Sequence, residues 1–272
     1  LPYHVGREFN ATIMEGIQTE LEKNDYAAIN ISVHGNDEDI KRAHRLIERR
    51  VDGVIYRSHP HGESDKFIEE LKRHGIPLVS VVENDHTLSK NIDFIGVDEK
   101  FLGTQAAEYL LNKGHKIIGF TRIGNARFDA PLKERFESFK KRVEEKGGKI
   151  VHTPKSNSSE MSVAEIKKML SRKKRPTAVF CSVDDIAYKT YEIALKLGLR
   201  IPDDLSIMGS SDYYASQYFN PSLTTFNLNA EEIGRRSADQ LIRRIQSENL
   251  DHTATITVRS QLKDRNSVSE IS

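Results

Sequence analysis

One module recurs along this chain: an amphipathic helix, a glycine that closes it, and shortly afterwards an apolar strand ending in a polar loop. Phe67–His74 with Gly75 leads to Pro77–Val82, Thr104–Lys113 with Gly114 leads to Lys116–Thr121, and Leu132–Lys146 with Gly147 leads to Lys149–His152. Glycine suits the left-handed position just past a helix because it has no Cβ to clash there. Strands that alternate with helices are joined by crossovers and run parallel, so the module commits the chain to a doubly wound α/β fold. Earlier segments repeat the alternation, with helix Glu8–Lys23 carrying Ile13, Met14, Ile17 and Leu21 on one side, strand Ala27–Val33, helix Asp37–Arg49 and strand Gly53–Tyr56. Asn229 and Glu232 have capping-box spacing and predict a helix through about Gln246.

The most informative stretch is Pro176–Asn227. Thr177–Ser182 is a strand-type apolar run, Asp184 and Asp185 open a helix, and Ile186, Ile193, Ala194 and Leu197 form its apolar stripe up to Gly198. Pro202 prevents continuation, and Leu205–Gly209 resumes as a strand. Taken alone, Asp184 reads as an N-cap whose carboxylate satisfies the first amides of the helix.

Length and charge narrow the function classes. A chain of 272 residues buries roughly three quarters of its unfolded surface, enough for one large domain or two lobes. With 37% apolar and 30% charged residues and a net charge of +1, the chain is neither disordered nor a strongly basic nucleic-acid surface. Cys181, the single cysteine, lies in an apolar strand without an intrachain partner, which fits a reducing compartment and a structural thiol. No apolar run has the length of a membrane span, and a cytoplasmic location is expected. Enzyme motifs are absent: no Gly-x-Gly-x-x-Gly, no Walker loop and no Gly-x-Ser-x-Gly elbow occurs, so neither catalysis nor a cofactor is expected. His59-Pro60-His61 lacks a third spaced ligand and reads as a surface loop, and Arg172-Lys-Lys-Arg175 reads as a solvated helix end.

The order strand, Ser-Val-Asp-Asp, helix, Ile201-Pro-Asp-Asp-Leu-Ser-Ile-Met-Gly and Asn220-Pro-Ser-Leu-Thr-Thr resembles the effector-binding core of LacI/GalR-type transcriptional repressors. Arg50-Val-Asp-Gly-Val-Ile, His74-Gly-Ile-Pro-Leu-Val, Gly96-Val-Asp and Asn112-Lys-Gly-His-Lys-Ile-Ile extend the resemblance over nearly the whole chain. It implies two doubly wound lobes like those of type I periplasmic binding proteins, with crossings near Gly114, Phe226 and Asp251. One lobe would hold residues 1–114 plus 228–250, the other 115–227 plus 251–272. The family's first strand, hinge helix and helix-turn-helix headpiece would precede Leu1. The resemblance further implies a homodimer built along Asp37–Arg49 and Phe67–His74, a small-molecule effector between the lobes, and operator DNA bound through the headpiece. A periplasmic sugar-binding component of a transporter shares this fold and stands as the alternative.

In open α/β sheets, ligands bind beyond the carboxyl ends of the strands. The motif positions of the resemblance place Phe9, Asn10, Ser58, Asp98, Arg135, Asp184 and Ser211 at the effector. Arg135 stands in Arg-Phe-Glu-Ser-Phe, where the family has Arg-x-x-Gly-aromatic, and a guanidinium there can give paired hydrogen bonds to hydroxyls or a carboxylate. On their own, Arg135 reads as a solvated helix face and Phe9 as core. The chain also departs from the family: Gly209-Ser210-Ser211-Asp212 replaces Gly-aromatic-Asp-Asp, Asn157 falls on a common aromatic position, and Leu228 on a polar one. With Arg57, Arg122 and Arg127 near strand ends, these departures make an anionic sugar derivative an alternative to a neutral sugar, unless the arginines point into solvent at the rim.

Overall fold

All strands of two four-stranded sheets run parallel, as the repeated module requires. The computed structural model describes residues 7–31, 37–57, 65–82, 92–121, 129–152, 159–246 and 252–271. In chain order the elements are α1 (Arg7–Lys23), α2 (Asp37–Glu48), β1 (Val54–Tyr56), α3 (Asp65–Arg73), β2 (Leu78–Val81), β3 (Asp93–Val97), α4 (Glu99–Asn112), β4 (Ile117–Thr121) and α5 (Asp129–Glu145). They continue with β5 (Lys149–His152), α6 (Ser159–Leu170), β6 (Ala178–Cys181), α7 (Asp184–Lys196), β7 (Ser206–Met208), β8 (Thr225–Asn227), α8 (Ala230–Gln246), β9 (Thr255–Val258) and β10 (Gln261–Lys263). The closing glycines Gly75, Gly114, Gly147 and Gly198 adopt φ values of 69°, 88°, 75° and 73°, the left-handed conformation that ends a helix.

One compact unit contains Asn10–Val97 and Asn229–Val258. Its sheet order is β1-β2-β3-β9. Ala43, Leu46, Phe67, Ile68 and Leu71 from α2 and α3 pack with Tyr56 and Leu78 on one side of it. α1 and α8 cross closely: a Cβ on Gly16 would lie 2.1 Å from the Glu231 carbonyl oxygen, and one on Gly234 would lie 2.1 Å from that of Ile13. Asp93 is buried at the start of β3, where it accepts Gln240 Nε2 at 2.7 Å, Arg244 Nε and Nη2 at 2.6 Å each, and the Ala254 amide at 2.6 Å. These bonds tie α8 and the entry of β9 to the sheet.

The second unit contains Asp98–Leu228 and Arg259–Ser272. Its parallel sheet has the order β5-β4-β6-β7, beside an antiparallel pair of β8 and β10. Phe120 on β4 meets Phe136 and Phe139 of α5 and Phe180 of β6 with ring centroids 4.8 to 5.7 Å apart, filling one face. Ile166, Met169, Leu170, Ile186, Ala187 and Ile193 of α6 and α7 cover Val179 and Ile207 on the other.

α4 groups with the second unit, and the last boundary between the units lies at Val258–Arg259. One expectation changes. Ala27–Ile31, expected as part of a strand over Ala27–Val33, has no strand pairing and is exposed, and residues 32 and 33 lie outside the described residues. Among the described residues β1 pairs with β2 alone, and its other edge takes up no part of that segment.

Candidate functional site

The site grows out of a close helix crossing. A Cβ on Gly103 would lie 2.2 Å from Ser138 Oγ and 2.3 Å from the Arg135 carbonyl oxygen, so glycine is what lets α4 and α5 approach. The approach sets Arg135 against Glu99 in the first turn of α4. Nε donates to Oε2 at 2.5 Å and Nη2 to Oε1 at 2.9 Å. Nη1 donates to the Ser182 carbonyl at 2.7 Å and to Ser210 Oγ at 2.9 Å. At 3% exposure, Arg135 is neither a solvated face nor a free fork: its bonds run inward to the protein. Burial pushes the Glu99 carboxyl up, and the Arg135 guanidinium pulls against that. Asp98 caps α4, accepting the Phe101 amide at 2.9 Å.

Asp184 is the first residue of α7 and not its cap; Val183 holds the cap position without a side-chain bond. The carboxylate turns instead to the segment after β7. Oδ1 accepts the Ser210 amide at 2.8 Å, the Ser211 amide at 3.1 Å and Thr225 Oγ1 at 2.7 Å. Oδ2 accepts the Tyr213 amide at 3.1 Å and Ser216 Oγ at 2.5 Å. Burial raises this carboxyl while five donors favour its ionised form. Gly209 is required beside it, because a Cβ there would lie 2.2 Å from Oδ1. Ser210 joins the two buried charges: its amide meets Asp184, and its hydroxyl accepts from Arg135 and donates to the Ser182 carbonyl at 2.7 Å. Asp212, at φ 51°, is fixed by Arg265 Nη2 at 2.6 Å and Asn227 Nδ2 at 3.1 Å.

Around this saturated scaffold stand two buried oxygens that lack a hydrogen-bond partner, Ser182 Oγ and Asp185 Oδ2. They come from the carboxyl end of β6 and the first turn of α7. The buried Thr121 and Ser211 hydroxyls stand against the Cys181 thiol and the Tyr213 phenol as hydrogen-bond neighbours. Burial, followed by the neighbouring Asp184, pushes the Asp185 carboxyl up. Orphaned buried polar groups cost free energy, and their concentration at one sheet edge marks a surface made for polar contacts.

The structure thus brings Arg135, Asp184 and Ser211 into one network and sets Asp98 next to Glu99. Phe9 and Asn10 lie in the first turns of α1, both half-buried, and the Asn10 amide oxygen accepts from Arg57 Nη1. Ser58, Asn157, Arg122 and Arg127 lie outside the described residues, as do His59 and His61. Glu99, Ser210, Thr225 and Ser216 were not singled out in the sequence; Ser210 was visible as the serine in an aromatic position, whereas Glu99 has no local signal. Among the described residues no group of His, Cys, Asp and Glu has metal-binding geometry, and no helix is long and apolar enough to cross a membrane.

Comparison with known proteins agrees with the fold. The periplasmic binding protein-like domain family matches residues 107–268. The chain is 30% identical over 254 residues to the ribose operon repressor of Haemophilus influenzae, across 91% of the chain and 74% of that repressor. It is 31% identical over 271 residues to the HTH-type transcriptional repressor PurR of Proteus mirabilis, across 96% of the chain and 76% of that protein. A LacI family transcriptional regulator from Enterococcus faecium, solved with bound ribose, matches with a TM-score of 0.79 and 25% identity, over 98% of this chain and 97% of that one.

Proposed function

The chain belongs to the LacI family of transcriptional regulators, and on that premise we propose that it is the effector-sensing core of a regulator responding to a small hydroxyl-rich molecule. The observation that carries this reading is the pair of unpartnered buried oxygens at Ser182 and Asp185, at the carboxyl edge where ligands of parallel sheets bind. Arg135, Glu99, Asp184 and Ser210 hold that edge rigid, so the contacts are formed before a ligand arrives. A sugar or sugar derivative supplies the matching donors and acceptors, and the related regulator from Enterococcus faecium carries ribose.

Effector binding then shifts the regulator between arrangements that differ in operator affinity, by no more than the difference in its own affinity for the two. The regulator acts in the cytoplasm as a homodimer, with DNA contacted by a helix-turn-helix of the kind named in the PurR relatives. Sensing without catalysis is supported by chemistry: the Cys181 thiol is buried and pushed up to about 12, and Asp184 is fully engaged by its own fold. A transport role has less support, since the two curated relatives named above are repressors.

A thermal-shift screen of neutral sugars tests the reading, since ligand at a hundred times its dissociation constant stabilises the bound protein by about 2.7 kcal/mol. The stabilising sugar is then expected to change operator binding by the full-length protein. A sugar that stabilises without altering operator affinity would refute the regulatory role.

A further inference from the structure

We propose that Asp185 is the specificity-determining acceptor of this site, selecting ligands that present a hydroxyl or protonated amine and rejecting phosphates and carboxylates. The inference rests on the effector-sensing reading above and deepens it to a ligand class. Its first support is geometric. An acid in the first turn of a helix serves the helix from solvent, with no need to bury an oxygen. Asp185 Oδ2 is nevertheless buried and has no hydrogen-bond partner. A desolvated carboxylate oxygen is among the costliest atoms to leave unpaired, so its retention calls for a donor from outside the chain.

The second support is the company it keeps. Ser182, 0% exposed, likewise leaves its hydroxyl oxygen unpaired, so Asp185 Oδ2 is not one stray atom.

The third is charge. Among the described residues, the cations of the scaffold itself are spent: Arg135 on Glu99, and Arg265 on Asp212. Asp184 is met by amides and hydroxyls alone, and among the described residues Lys189, one turn along α7, is the cation that pulls on Asp185. The described residues therefore leave this edge negative at Asp184 and Asp185, and an anion would enter against their field.

The test pairs D-ribose with D-ribose 5-phosphate and D-glucose with D-glucosamine, titrated calorimetrically into the wild-type protein and Asp185→Asn. In the ribose pair the neutral sugar is expected to bind at least tenfold more tightly than its phosphate, and in the glucose pair the aminated sugar is expected to bind no more weakly than the neutral one. Asp185→Asn should weaken binding of the neutral ribose at least tenfold and erase the discrimination. Melting of the ligand-free proteins gives an independent reading, because removing an unpaired buried charge raises the melting temperature whereas removing a structural one lowers it. Preference for the phosphate, or unchanged affinity in Asp185→Asn, overturns the proposal and leaves the effector-sensing reading standing. If no probe binds, that reading loses its support, and a lower melting temperature for Asp185→Asn then overturns the role of Asp185 as well.

Discussion

Arg135 and Glu99 form a two-point ion pair across α4 and α5, with Nε–Oε2 at 2.5 Å and Nη2–Oε1 at 2.9 Å, and both side chains are buried. A ligand-binding arginine at this position would be dispensable for folding. The pair makes the opposite prediction: Arg135→Ala leaves an uncompensated buried carboxylate and should destabilise the protein by about 3 to 5 kcal/mol. Replacing both partners with Arg135→Met and Glu99→Leu should recover much of the loss. Chemical denaturation of the wild type and the two variants checks this, and Arg135→Ala with wild-type stability would contradict it.

His115 ties three segments together, with Nδ1 3.0 Å from Thr177 Oγ1 and Nε2 3.1 Å from the Ser269 carbonyl oxygen. The carbonyl accepts a hydrogen bond from Nε2–H, and the Thr177 hydroxyl donates to the Ile117 carbonyl oxygen at 3.4 Å. Burial lowers its pKa, which means the unfolded chain binds the proton more readily than the folded one. Stability is therefore lost as pH falls below the unfolded value of about 6.5 and on through the folded one. Thermal melts between neutral and mildly acidic pH should show this slope, reduced in His115→Gln.

Cys181 is fully buried, its thiol is pushed up to about 12, and its sulfur lies 3.6 Å from Thr190 Oγ1. Thiol reagents at pH 8 should leave the native protein unmodified and label it at one site per chain after denaturation. Rapid native labelling would contradict the structural role.

Much of this was legible in the residues, and what was not has physical causes. The closing glycines are local, since each needs only its own backbone conformation, so Gly75, Gly114, Gly147 and Gly198 announced the fold class. The position of Asp184 was legible from its motif, but its partners are brought in by β7 and β8, and the cap reading failed because the carboxylate finds five better donors there. Glu99 and Arg135 are joined only by the crossing of α4 on α5, which no periodicity encodes. That same packing groups α4 with α5 in one compact unit. The strand over Ala27–Ile31 failed because a strand needs a ladder as well as a pattern.

The expected dimer face also changes character. The apolar residues of α2 and α3, among them Ala43, Leu46, Phe67 and Leu71, are spent on the unit's own core. What these helices expose is Lys41, Arg45, Glu48, Lys66, Glu69 and Arg73. A dimer using this face is held by screened charge pairs, so sedimentation equilibrium should show its dissociation constant rising between 50 mM and 500 mM salt, as the Debye length falls below about 5 Å. A salt-independent dimer would place the interface elsewhere.

The central claim is that the unpartnered oxygens at the sheet edge exist for a ligand, and Ser182 tests it most directly. Its hydroxyl makes no hydrogen bond although the residue is 0% exposed, so it does nothing for the fold that alanine would not do. Calorimetric titration of the stabilising sugar, with D-ribose tried first, is predicted to show saturable binding to the wild-type protein and affinity at least tenfold weaker in Ser182→Ala, while the two ligand-free proteins melt alike. Equal affinities, or a Ser182→Ala variant whose only defect is a lower melting temperature, would contradict the account.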